Sequence, residues 1–157
     1  MRRPPLFQLQ RVRPEIESLL LCRSNFLYGR PSVAIVELTK DNFEDTINNN
    51  AFIIVDFWAP WCGPCRSFAP TFEKVSEEHP DIVFAKVNTE DEQEIAAHFQ
   101  IRSIPTLMIF RDQIIIFSQP GALPESAFKE LVGKAGELDM AEVRKQIEEQ
   151  QKEEGKA

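Results

Sequence analysis

The sequence AFIIVDFWAPWCGPC, residues 51–65, joins two different hydrophobic patterns. Its first part, AFIIVDFW, is a nearly continuous apolar run, which is typical of a strand buried on both faces at a central position of a sheet. From residue 62 to residue 79 the apolar side chains recur at helical spacing, and Pro80 closes that pattern. The sequence therefore predicts a central strand that leads directly into a helix, with Cys62 and Cys65 at the junction.

Strand and helix patterns alternate on either side of this junction. Short runs rich in β-branched and aromatic residues predict further strands at 33–38, 82–87, 106–110 and 114–117. Periodic segments predict further helices from Thr39, as N-cap, through Ile47, over 91–99 and over 124–134. The early alternation implies parallel crossovers, and the last two strands imply an antiparallel hairpin. We therefore predict an α/β fold with a mixed central sheet of about five strands and helices on both faces.

The two ends of the chain differ in composition from the segment between them. Residues 1–32 hold six Arg, no Lys and two Glu. Polar and charged residues interrupt every apolar stretch there, so we expect a disordered extension, with organellar targeting as the alternative. Residues 33–134 are expected to form the folded domain. Residues 135–157 are expected to form a charged helical tail that is either solvated or binds a partner.

Composition argues against several classes of function. Hydrophobic residues make up 43% of the chain, which is enough for a core and argues against overall disorder. The longest apolar runs are far shorter than the roughly 18 residues that a membrane-spanning helix needs, so no membrane association is expected. The net charge of −7 argues against a general nucleic-acid binder. Three cysteines cannot build a disulfide scaffold, and Cys22 is expected to be an incidental free thiol.

The two cysteines of the junction have a spacing that suits redox chemistry. A thiol at a helix N-terminus faces free backbone N–H groups and the positive end of the helix dipole, which stabilise the thiolate. We therefore expect Cys62 to be the accessible nucleophile and Cys65, one turn deeper, to be the resolving thiol. Pro64 suits the first helical turn, and Gly63 permits a close approach.

Two alternatives stay open at this point, a structural zinc site and a coincidental pair of core cysteines. A structural zinc site needs four ligands, usually as two pairs. Only Cys22, His79 and His98 remain as candidates, and none is spaced as a second pair. A coincidental pair would not explain the position at a strand-to-helix junction. The sequence favours the redox interpretation and predicts no metal site.

Four segments of the chain resemble the thioredoxin family. VDFWAPWCGPC (55–65) resembles its active-site segment, FAKVN (84–88) its third strand, IRSIPTL (101–107) its cis-proline loop and GAL (121–123) the turn before its last helix. The resemblance covers about residues 33–134 and implies a thioredoxin fold.

The resemblance also implies roles for single residues. Cys62, Cys65, Asp56 and Lys86 match the family's catalytic positions. Burial should raise the pKa of Asp56, the ammonium group of Lys86 should pull it back down, and Asp56 should exchange protons with Cys65. The alternatives to these roles are that backbone donors satisfy the carboxylate of Asp56 and that Lys86 is an ordinary surface lysine.

The implied substrate-binding surface surrounds the cysteines. Its members are Trp61, Gly63, Pro64, Ile104, Pro105, Gly121 and Ala122. Pro105 matches the cis-proline, which leaves the carbonyl and N–H of Ile104 free to pair with an extended substrate segment. Trp58 is expected to pack beneath the motif.

The activity implied is that of a protein-disulfide reductase, an electron donor that works by dithiol–disulfide exchange. The implied partners are disulfide-containing target proteins and a flavin-containing, NADPH-dependent thioredoxin reductase, and no cofactor is implied on this chain. The Gly-Pro pair between the cysteines resembles the reducing members of the family, so a cytoplasmic location is expected. An oxidase or isomerase in an oxidising compartment, and a redox-independent binding subunit, are the alternatives.

Overall fold

The structure, a computed structural model, describes residues 34–154. The elements in chain order are β1 (Val36–Glu37), α1 (Phe43–Asn49), β2 (Phe52–Trp58), α2 (Gly63–Glu78), β3 (Val83–Asn88), α3 (Gln93–His98), β4 (Thr106–Arg111), β5 (Ile114–Pro120), α4 (Glu125–Glu137) and α5 (Met140–Glu154). The order of strands and helices through α4 is the predicted one. The expectations for residues 1–33, including the free thiol of Cys22, lie outside the described residues.

The five strands form one mixed sheet in the order β1-β3-β2-β4-β5. The central strand β2 pairs in parallel with β3 and antiparallel with β4, and β4 pairs antiparallel with β5. Every residue from Ile53 to Phe57 is buried, because neighbouring strands flank β2 on both sides and helices cover both of its faces. The predicted α/β fold, the mixed sheet and the central position of this strand are confirmed.

Helices α2 and α4 cover one face of the sheet. Their core cluster joins Ile54 of β2 and Phe84 of β3 to Phe68 and Phe72 of α2 and to Phe128 of α4. The ring of Phe128 lies 5.8 Å from that of Phe72 and 6.3 Å from that of Phe84, centroid to centroid. Phe128 therefore connects three elements in one aromatic cluster.

Helices α1 and α3 cover the opposite face. The second core cluster includes Ile53, Val55 and Phe57 of β2 together with Ile47 of α1 and Ile95 of α3. Side chains alternate between faces along a strand. Ile53, Val55 and Phe57 face α1 and α3, so Ile54 and Asp56 face the opposite way, toward α2.

The start of α1 differs from the prediction. Thr39 is not the N-cap, because α1 begins only at Phe43, after a turn. The side-chain oxygen of Asn42 accepts a hydrogen bond of 2.8 Å from the backbone N–H of Thr39, and the Asn42 amide donates to the carbonyl of Glu37 at 3.0 Å. The side chain of Asn42 thus stabilises the turn between β1 and α1.

The end of α4 also differs from the prediction. This helix continues to Glu137, three residues beyond the expected end at 134. The guanidinium group of Arg111, in β4, donates to the carbonyl oxygens of Ala135 and Gly136, which would otherwise be unpaired at the helix C-terminus. In α5, Arg144 forms an ion pair of 2.9 Å with Asp112 of the β4–β5 turn.

The substitution Phe128→Ala tests the aromatic cluster between α2, α4 and β3. We expect it to lower the free energy of unfolding of the oxidised protein by about 3–5 kcal/mol, because a fully buried ring is replaced by a cavity. Urea denaturation followed by circular dichroism measures the change. Ile115→Ala, at a β5 side chain that is 44% exposed, is the control and should cost much less. Equal losses in the two variants would contradict this account of the core.

Candidate active site

Cys62 and Cys65 lie at the junction between β2 and α2, and they form a disulfide with a Cα–Cα distance of 5.3 Å. Cys62 is the N-cap of α2, and its Sγ accepts a hydrogen bond of 3.2 Å from the backbone N–H of Cys65. Gly63 is the first residue of the helix, and Pro64 lies in its first turn, where no hydrogen bond within the helix needs the N–H that proline lacks. The predicted position of the pair at a strand-to-helix junction is confirmed.

The exposure of Cys62 differs from the expectation. In this disulfide form the residue Cys62 is only 4% exposed and Cys65 only 2%, so the pair is largely buried. The pair packs with Ala59, Trp58 and Ile104, and Cys62 Sγ lies 3.8 Å from the carbonyl oxygen of Ile104. A target disulfide therefore has to contact the surrounding surface closely in order to reach the sulfur.

Two loops beside the disulfide are fastened to each other. The Ile104–Pro105 peptide bond is cis, as the resemblance implied. The carbonyl oxygen of Pro105 accepts a hydrogen bond of 2.8 Å from the backbone N–H of Gly121. Gly121 has φ +107°, a backbone conformation that residues other than glycine rarely adopt. The structure thus places Ile104, Pro105 and Gly121 at one side of the cysteine pair.

Most of the expected substrate-binding surface faces solvent. Trp61, Gly63, Pro64, Gly121 and Ala122 are exposed, Ile104 is half-buried and Pro105 is buried. Trp61 is 65% exposed, and its indole N–H donates a hydrogen bond of 2.6 Å to Oε1 of Glu90. The sequence did not point to Glu90, because nothing in an exposed acidic segment marks one carboxylate as the partner of an indole 29 positions away.

Asp56 lies in the middle of β2, on the side of the sheet that α2 covers. Its carboxylate is 0% exposed and has no hydrogen-bond partner among the described residues. Burial raises its pKa to about 7, against a smaller lowering by the positive charge of Lys86, its register partner in β3. The Nζ atom of Lys86 lies 5.6 Å from the ring centroid of Trp58 and 5.8 Å from that of Phe72. The expected raised pKa is confirmed, and the alternative of an aspartate satisfied by backbone donors is excluded for the described residues.

Residues 34–154 contain neither a candidate metal site nor a candidate membrane span. No three His, Cys, Asp or Glu side chains in this part of the chain converge so that they could hold a metal ion. None of the helices described there is both long enough and apolar enough to cross a membrane.

Comparison with known proteins identifies the family. The Thioredoxin family model matches residues 34–134. The chain belongs to the thioredoxin family. It is 56% identical over 120 residues to "Putative thioredoxin 2" of Streptomyces coelicolor, a match that covers 76% of this chain and 90% of that protein. It is 42% identical over 104 residues to a thioredoxin of Pyropia yezoensis, with 65% and 97% of the two chains covered.

Solved thioredoxin structures resemble the chain as well. A mutant thioredoxin from Halobacterium salinarum superposes with a TM-score of 0.64 at 27% identity, over 71% of this chain and 99% of that one. The thioredoxin of Plasmodium falciparum superposes with a TM-score of 0.60 at 34% identity, over 64% and 98%. The thioredoxin fold that the resemblance implied is therefore confirmed.

Family membership and the Cys62–Cys65 disulfide together define the chemistry. The protein is a thiol-disulfide oxidoreductase that works by dithiol–disulfide exchange. Membership of the thioredoxin family implies disulfide-containing proteins as targets.

The substitution Asp56→Asn tests the ionisation of the buried carboxyl group. Between about pH 4 and pH 7 the folded state holds a proton that the unfolded state has lost, so the free energy of unfolding should fall as the pH rises and level off above pH 7. The full difference is about 4 kcal/mol. Asp56→Asn should remove this dependence and stabilise the oxidised protein at pH 8 much more than at pH 4.

Urea denaturation at a series of pH values measures the effect. Asp41→Asn, at an exposed aspartate, is the matched control and should leave the pH profile of the parent chain in place. An Asp56→Asn protein whose stability still falls from pH 4 to pH 7 as steeply as that of the parent would show that Asp56 is not the group that titrates.

Proposed function

We propose that the chain is a protein-disulfide reductase that passes two electrons from the Cys62–Cys65 dithiol to target proteins. The observation that carries the proposal is the position of Cys62 Sγ at the N-terminus of the 16-residue helix α2, where it accepts the N–H of Cys65. In the reduced protein the same N–H groups and helix dipole favour the thiolate, which is the nucleophilic form.

The exchange takes place in two steps. The Cys62 thiolate attacks one sulfur of a target disulfide, the other target sulfur leaves as a thiolate and takes up a proton, and a mixed disulfide forms. The Cys65 thiolate then attacks Cys62 Sγ and displaces the second target sulfur. The target gains two electrons and two protons as a dithiol, and the Cys62–Cys65 pair is oxidised to the disulfide.

Asp56 and Lys86 are assigned to the proton transfer of the second step. With a pKa of about 7, Asp56 is ionised in a large fraction of molecules at neutral pH and can take the proton of the Cys65 thiol. The positive charge of Lys86 keeps that pKa from rising further and so keeps the base available. Both groups lie on the sheet face that α2 covers, below the helix that carries Cys65.

The target chain is assigned to the surface around the disulfide. Trp61, Gly63, Pro64, Gly121 and Ala122 provide its exposed part. The backbone of Ile104 adjoins Cys62, so an extended target segment that pairs with its N–H and carbonyl would bring the target sulfur to Cys62 Sγ. This arrangement agrees with the low exposure of Cys62, because the target disulfide reaches the sulfur only after the target has docked on the surrounding surface.

The uncharged residues Gly63 and Pro64 between the cysteines support the reducing direction. A histidine in their place would stabilise the thiolate further and favour oxidation of targets. For a reductant we assign a flavin-containing, NADPH-dependent thioredoxin reductase as the electron source and the cytoplasm, a reducing compartment, as the location. Residues 33–134 are the proposed catalytic unit, with 1–32 and 135–157 as appendages.

The equilibrium reduction potential of the Cys62–Cys65 couple tests the direction. A reductant should give a value near that of thioredoxins in general, about −270 mV, in a glutathione redox titration. The variant Pro64→His should shift the potential to a less negative value, because it stabilises the reduced, thiolate form. A potential near the value of about −120 mV that belongs to strong oxidants would contradict the reductase proposal.

Single serine variants test the order of attack. In a Cys22→Ser background, Cys65→Ser should accumulate a mixed disulfide with insulin, since nothing resolves it, whereas Cys62→Ser should accumulate none and reduce nothing. Non-reducing electrophoresis detects the adduct, and mass spectrometry of the linked peptide locates the sulfur. Adducts that form through Cys65 in the Cys62→Ser protein would reverse the assigned roles.

A further inference from the structure

The indole of Trp61 is held in place although it is exposed. Trp61 immediately precedes Cys62 and is 65% exposed, so it is a large apolar contact beside the reactive sulfur. Its N–H donates to Glu90 Oε1 at 2.6 Å, a charge-assisted hydrogen bond. Tryptophan is among the residues that contribute most to binding energy at protein interfaces. Whatever fixes this ring therefore affects how a target docks.

Glu90 itself stands on a well-supported loop. The preceding residue, Thr89, donates both its backbone N–H and its hydroxyl to the carbonyl oxygen of Trp58, at 2.9 and 3.1 Å. The backbone N–H of Glu90 donates to Asn88 Oδ1 at 3.1 Å, and the Asn88 amide donates to Asp91 at 2.6 Å. The loop is thus fastened to the end of β2, the same strand from which the cysteine motif continues. The hydrogen-bond acceptor and the indole donor are therefore both anchored at the end of one strand.

We propose that Glu90 is a positioning residue that orients Trp61 before a polypeptide target docks and so sets the affinity for protein disulfides. The inference rests on the proposed reductase function. A side chain that is already fixed loses little conformational freedom on binding, so the complex is stabilised. A small disulfide that reaches Cys62 without covering the indole gains nothing from this orientation. The substrate class affected is therefore a polypeptide that lies across the ring of Trp61.

Three variants of the full chain separate the hydrogen bond from the charge. Glu90→Ala removes both, and Glu90→Gln keeps an acceptor oxygen for the indole but removes the charge. Glu94→Ala, which removes an exposed carboxylate of α3, is the control for net charge. Each variant is reduced beforehand and mixed with increasing insulin or with hydroxyethyl disulfide, and alkylation followed by mass spectrometry reports how fast the Cys62–Cys65 disulfide forms.

We expect Glu90→Ala to raise the half-saturating insulin concentration about two- to tenfold, with the maximal rate and the rate with hydroxyethyl disulfide unchanged. Glu94→Ala should behave like the parent chain, and Glu90→Gln should lie much closer to the parent than Glu90→Ala does, because its amide oxygen still accepts from the indole. The ¹⁵N heteronuclear NOE of the Trp61 indole, assigned with Trp61→Phe, should drop in Glu90→Ala and recover in Glu90→Gln.

Three results would overturn the proposal. The first is an unchanged half-saturating insulin concentration in Glu90→Ala, and the second is an equal loss in Glu90→Gln, which would assign the effect to charge. The third is a parallel loss with both substrates, which would mean general damage to the site. Failure of the reductase function itself looks different, because the parent chain would then reduce neither insulin nor hydroxyethyl disulfide.

Discussion

The site depends on the way the central strand β2 stops and α2 starts. Neighbours pair with β2 along both edges, so the position of its last residue, Trp58, is fixed by the sheet. Only a short connection separates that residue from Cys62, which then acts as the cap of the helix. The sulfur therefore takes the place that a serine or aspartate oxygen has at other helix N-termini. The backbone N–H that a cap normally satisfies here donates to Cys62 Sγ, and in the proposed mechanism it favours the thiolate of the reduced protein.

The buried carboxyl group of Asp56 costs the fold stability. An apolar residue at the centre of β2 would suit the α2 face of the sheet, where Ile54 and Leu107 are fully or almost fully buried. The carboxyl group there has a pKa of about 7 because burial disfavours its charged form. The same desolvation destabilises the folded protein at high pH and, in the proposed mechanism, supplies a base near neutral pH. The positive charge of Lys86 lowers this pKa and so reduces both the loss of stability and the rise in pKa.

Patterns that depend on few neighbours could be predicted from the sequence. Burial on both faces marks residues 51–58 as the central strand without knowledge of its partners, and the cysteine spacing marks the junction. The predicted cap of α1 was wrong: Thr39 and Asn42 are both good turn and cap residues, and in the structure Thr39 precedes the turn while Asn42 is the N-cap. The burial of Cys62 and the contact between Trp61 and Glu90 depend on loops distant in sequence. No local pattern carries that information.

The strand β5 has a consequence for solubility during folding. It is one of the two edge strands of the sheet among the described residues, and its sequence IIIFSQP contains no charge. Such a segment can recruit an identical strand from a second molecule and start aggregation. Arg111 and Asp112 precede it, and Pro120, which has no N–H to donate, ends it. Charged residues and proline at such flanking positions discourage intermolecular pairing while a chain is still incomplete.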